Sequence, residues 1–172
     1  MADRVPATIR IGGTISAASF AELLHVIAFE GLSAEWGGEH FDAASRIAGE
    51  PLALFDESCA WGKIDNLEAF CVEKGLPFVR WSGSYPGEWS AERLVFRGSG
   101  AIDSYMVDES DRVVLDRRLL ADLGSIEAAL AYFDAAGFEV PPLVVEGDPA
   151  PEDPEPAAVS GDGAGDHREA RS

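Results

Sequence analysis

The chain is expected to fold as one α+β domain over residues 1–145. A ferredoxin-like βαββαβ core with a largely antiparallel sheet is extended by a C-terminal ββαβ segment. Two observations predict this. Short apolar runs of strand length alternate with capped segments of helical period. A helix–glycine–strand unit also recurs: Glu30-Gly31-Leu32 leads to Trp36, Lys74-Gly75-Leu76 to Trp81, and Gly137-Phe138 to Val145. From Glu146 the periodicity stops. Residues 146–172 are too poor in apolar side chains to offset chain entropy, and a disordered acidic Pro/Gly-rich tail is expected there.

Thr8 to Gly12 alternates and reads as the first strand. Ser19-Phe20-Ala21-Glu22 has the form of a capping box, opening a helix over 19–30 with Phe20, Leu23, Leu24 and Ile27 on one face and Gly31 as its stop. Leu32–Trp36 and Pro51–Phe55 read as strands around a loop anchored by Phe41 and Ile47. Asp65 caps a second helix with Leu67, Phe70 and Cys71 inward, ended by Gly75, and Pro77–Trp81 follows as a strand. Beyond the core, Arg93–Phe96, Ile102–Val107 and Arg112–Leu115 read as strands, the last two joined by the polar turn Asp108–Asp111. Asp116 caps a helical turn reaching Leu123. Ser125 caps a third helix carrying Ile126, Leu130 and Phe133, and Phe138–Val145 is extended.

Charge bounds the function. The formal net charge is −18; residues 146–172 hold 8 of the 31 acids and 2 of the 13 bases, leaving 23 acids against 11 bases on residues 1–145. Such a domain repels nucleic acid and anionic lipid and attracts basic partners. No apolar run is long enough to span a bilayer, and the first residues, MADRVPATIR, lack an apolar signal core, so a cytoplasmic location is expected.

No motif points to catalysis or a cofactor. Gly12-Gly13-Thr14 lacks the lysine and spacing of a phosphate loop and reads as a tight strand–helix turn. His25, His40 and His167 show no paired ligand spacing, although Glu39, His40 and Asp42 lie close in sequence. Asp108, Glu109 and Asp111 lack the calcium-loop pattern. Cys71 falls on an apolar helix face, and Cys59 follows Asp56 and Glu57, whose charges oppose thiolate formation. No metal or cofactor is expected.

Two features are candidates for partner binding. The stretch WSGSYPGEW places Trp81, Tyr85, Glu88 and Trp89 in a loop able to expose aromatic anchors. The segment holding Asp103, Asp108, Glu109, Asp111, Asp116 and Asp122 is the best candidate for an acidic face, although Arg112, Arg117 and Arg118 interrupt it. The expectation is a non-enzymatic acidic inhibitor that occupies a basic, nucleic-acid-binding protein surface. Phage- or plasmid-borne anti-CRISPR and antirestriction proteins are analogous in size and charge alone. A protein–protein or regulatory module without DNA mimicry is the alternative, and a small enzyme on a ferredoxin-like sheet is the third.

Overall fold

A computed structural model describes residues 3–149; the expected tail beyond them lies outside the described residues. The first strand, β1 (Arg4–Ile11), is the backbone of the molecule. Val5, Ala7, Ile9 and Ile11 are buried, while Pro6, Thr8 and Arg10 alternate toward the opposite face. β2 (Gly13–Ile15) then leaves the sheet. The step between them needs Gly12: a Cβ there would lie 1.9 Å from the Pro141 carbonyl oxygen. The Gly12-Gly13 pair thus serves close backbone approach at a step between two strands, not the expected strand–helix turn.

α1 (Ala17–Glu30) begins two residues before the expected start. Its cap is Ser16, not Ser19: Ser16 Oγ accepts from the Ser19 N–H at 3.1 Å. The expected strand over Leu32–Trp36 does not form. Only Ser33 bridges, to Phe55 and to His40, so the core runs ββαβαβ rather than βαββαβ. A loop containing the short 3-10 turn Ala43–Ser45 leads to β3 (Leu52–Ala60), which is longer than expected.

α2 (Asp65–Lys74) carries no side-chain cap at Ile64. Instead Glu68 accepts from the Ile64 N–H at 3.2 Å, and Glu30 of α1 accepts from the Asn66 N–H at 2.9 Å. Leu67 and Cys71 are buried as expected, and the helix ends at Gly75. β4 (Phe78–Ser82) and β5 (Glu92–Phe96) follow, then β6 (Asp103–Met106). The polar turn after it is present: Asp108 and Arg112 exchange backbone and side-chain bonds across it. The strand expected at Arg112–Leu115 is reduced to a single Val107–Val113 bridge. α3 (Arg117–Leu123) and α4 (Ile126–Ala136) are capped by Asp116 and Ser125 as expected.

The main sheet has the order β3-β1-β4-β5-β6, antiparallel throughout. β3 and β4 both oppose β1 and therefore run parallel to each other, with α2 linking them: a split βαβ unit around the central strand. α1 and α2 cover one face, closing a core that includes Ile9, Leu23, Ile27, Leu54, Leu67, Phe78 and Phe96. α4 covers part of the other face at the β5–β6 end, through Ala136, Tyr132, Tyr105 and Val95.

β2 pairs in parallel with β7 (Leu143–Val145), tying the two ends of the domain together. Asp148 secures this pair by accepting from the Val145 N–H and bonding the Arg46 guanidinium. Contacts of the β2–β7 pair thus reach Asp148.

Candidate binding surface

Arginines meet half of the expected acidic face. Asp103 pairs with Arg97, Asp108 with Arg112 at 2.8 Å, and Asp111 with Arg93 at 2.7 Å. Glu109 is bound by the Ser84 backbone and hydroxyl, and Asp116 is spent on the Leu119 N–H at the head of α3. Arg112 and the Ser110 and Arg112 N–H groups hold the Asp108 carboxyl below its ordinary value. Asp122 is exposed. The stretch from Asp103 to Asp122 is therefore a set of internal ion pairs and caps more than a bare carboxylate array.

The aromatic loop divides. Trp81 is buried on β4, its indole N–H donating to the Asp108 carbonyl at 3.3 Å, so it packs and is not a free anchor. Tyr85 and Trp89 stack at the surface with centroids 5.1 Å apart and an interplanar angle of 23°. A tight bridge between the same two residues fixes the stack. Asp3 hydrogen-bonds the Tyr85 phenol and raises its pKa. Glu88 is exposed at the loop tip.

Sequence reasoning missed Trp61. It is 56% exposed and has φ 52°, a left-handed conformation that bulky L-residues rarely adopt. The cause is its neighbour. A Cβ at Gly62 would lie 2.7 Å from Ser82 Cβ, so the turn after β3 is pressed onto β4, and Trp61 is forced outward with its N–H held by the Asp3 carbonyl at 2.7 Å. Two turns distant in sequence thus meet: Trp61 and Trp89 border a hollow of about 380 Å³ with Lys63, Ser82, Ser90 and Glu92. The available signal was Trp-Gly directly after an edge strand, where burial has no claim on a large side chain.

β3 is an edge strand, and its second half displays Asp56, Glu57 and Ser58. Across from it, the 33–40 loop presents exposed Glu35 and Glu39, and Glu57 lies against Gly37. None of Glu35, Glu39, Asp56 and Glu57 forms an ion pair among the described residues. These four are among many unpaired carboxylates of the described residues, but here they line one edge, which runs directly into Trp61.

The thiols are poorly placed for nucleophilic chemistry. Burial, reinforced by Asp56, pushes Cys59 up to about 12, and burial with Glu68 pushes Cys71 up to about 12. Cys59 donates to the Lys63 carbonyl at 3.2 Å; His25 and His40 are exposed, and neither lines a hollow with Cys59. Among the described residues no three His, Cys, Asp or Glu side chains converge as metal ligands. The chain matches no protein-family model, no curated protein and no solved structure.

Proposed function

We propose that the protein is a non-enzymatic acidic binding protein that docks on a basic protein surface through the β3 edge and the aromatic end beside it. The carrying observation is Trp61, held exposed in a costly backbone conformation at the end of the carboxylate-bearing β3 strand, and sharing a hollow with Trp89 of the stacked Tyr85–Trp89 pair. Strain that a fold retains at an exposed aromatic points to use of that aromatic. Aromatic anchors ringed by charge are what protein interfaces concentrate energy in. The narrow form of the proposal is inhibition: occupation of a nucleic-acid-binding groove, as antirestriction or anti-CRISPR proteins do, inside the cell. No helix among the described residues is long and apolar enough to cross a membrane, which is compatible with that setting.

The internal pairing of Asp103, Asp108 and Asp111 favours a second reading, a protein–protein module without DNA mimicry. The ferredoxin-like description of the core remains a proposal too. The split βαβ unit supports it, and the missing strand at Leu32–Trp36 counts against it.

The test is retention of host proteins by the immobilised full chain, compared with Trp61→Ala and with Asp56→Lys/Glu57→Lys, at low and high salt. The proposal expects a basic protein retained by the native chain, released by salt and lost on both variants. Equal retention by all three chains would overturn it. If the captured protein binds DNA, competition by a DNA duplex supports the inhibitor form, and its absence supports the second reading.

A further inference from the structure

The face of the sheet opposite α1 and α2 is only partly covered by α4, and the remainder is concave. Two adjoining hollows of about 310 and 410 Å³ share Thr8, Arg10, Trp81 and Asp111. Trp36 and Phe55, packed edge to face at 5.1 Å, wall one end; Val79 and Phe138 line the other. Together they have the size and mixed lining of a small-molecule site.

Among the described residues five bases form no ion pair, Arg4, Arg10, Lys63, Arg117 and Arg118, and of these Arg10 is the one that lines both hollows. In a chain of net charge −18, with acids far outnumbering bases, it forms no ion pair with any described residue. It is exposed at the floor of this cleft, with Thr8 one pleat away, about 7 Å along the same face. The neighbouring cation is already satisfied: Arg93 is clasped by Asp111 and donates to the Ala136 carbonyl. The same clasp neutralises Asp111, whereas Glu109 is bonded by the uncharged Ser84 and still opposes an anion from the cleft wall. Glu139 is exposed on the far wall and opposes one too.

We propose that this cleft binds a small carboxylate with an aromatic or branched apolar body. Arg10 takes the carboxylate, and the Trp81–Val79 floor or the Trp36–Phe55 wall takes the body. The acidic field of the whole molecule repels free anions at long range, so burial of an apolar body has to supply the difference. Inorganic phosphate, with charge and no such body, is excluded on the same argument. The cleft lies apart from Trp61 and does not depend on the docking proposal.

Titration of the full chain with 2-naphthoate, followed by calorimetry and by backbone amide shifts, tests this. The expected result is sub-millimolar binding, with shifts centred on Thr8, Arg10, Trp36 and Trp81. The neutral 2-naphthamide is expected to bind roughly ten-fold more weakly, and inorganic phosphate not at all. Arg10→Gln should reduce naphthoate to the level of the amide, Arg10→Lys should restore part of the loss, and Glu139→Gln should tighten binding two- to three-fold. Trp61→Ala should leave it unchanged. Equal affinity for acid and amide in the native chain, shifts centred elsewhere, or no binding up to about 5 mM would overturn the proposal.

Discussion

Arg80 sits on β4 beneath α2, its side chain 3% exposed, yet it carries a full charge. Its guanidinium meets Glu68 at 2.9 Å, Glu92 at 3.0 Å and the Ser82 hydroxyl at 2.6 Å. Glu68 in turn accepts from the Ile64 N–H, so one buried ion group also closes the uncapped head of α2. Removing only the cation strands a partly buried carboxylate. Arg80→Met is expected to cost about 3 kcal/mol in urea unfolding, whereas Arg80→Met with Glu68→Leu should recover most of that loss. The sequence hides this network, because an arginine within FVRWS gives no sign of which way the strand pleats. Trp61 was hidden for a related reason: the strain that exposes it comes from Ser82, twenty-one positions away. Arg10 carries no mark in the sequence either, since only the fold places it on the cleft floor beside the paired Arg93 and Asp111.

Among the elements, α4 departs most from its sequence. The stripe Ile126, Leu130 and Phe133 has the period of a buried face, yet these residues are 73%, 58% and 38% exposed. Ala129 and Ala136 face the sheet instead, and their small size lets the helix lie close enough for Tyr132 to meet Tyr105 at 5.0 Å and to bond the Met106 N–H. Leu130→Lys is therefore expected to change stability by less than about 0.5 kcal/mol, and Ala136→Leu to cost about 1–3 kcal/mol, both by urea unfolding. Helices and their ends were legible elsewhere because capping and left-handed stops are local chemistry: Asp116, Ser125, Gly31 and Gly75 act where expected. Strand identity was less legible. Leu32–Trp36 has an apolar residue at each end but no β-branched one between, and it meets β3 only at Ser33.

The β2–β7 pair leans on one carboxylate. Arg46 holds the Asp148 carboxyl below its ordinary value of 3.8, aided by the Val145 N–H, as Arg112 does for Asp108. A depressed folded pKa stabilises above the unfolded value, and that contribution fades as pH falls through the folded one. The melting temperature should therefore be level from pH 8 to about 5 and decline from about pH 4 downward. Asp148→Asn should begin lower at neutral pH and show a shallower decline in the same thermal scans.

On the scale of the whole molecule, internal pairing does not cancel the surplus. Eleven bases cannot neutralise 23 acids on residues 1–145, and the folded chain repels itself. Added salt screens that repulsion, so the melting temperature is expected to rise between about 0.01 and 0.5 M NaCl. A fall would mean that the ion pairs outweigh the net field. The sign of the charge was legible in the sequence, and its placement was not: the carboxylates nearest one another in sequence, from Asp103 to Asp116, are largely engaged, while four unpaired ones from two separate segments meet along the β3 edge.

Closure of the domain by Gly13–Ile15 against Leu143–Val145 also sets a schedule for biosynthesis. Ile15 is made well before its partner strand. At 5–20 residues per second the nascent chain waits roughly 7–26 s before the second strand exists. During that interval Ile15 and the unanchored start of α1 are open to chaperones and proteases. Slow codons placed before residue 143 should prolong that exposure and lower the soluble yield.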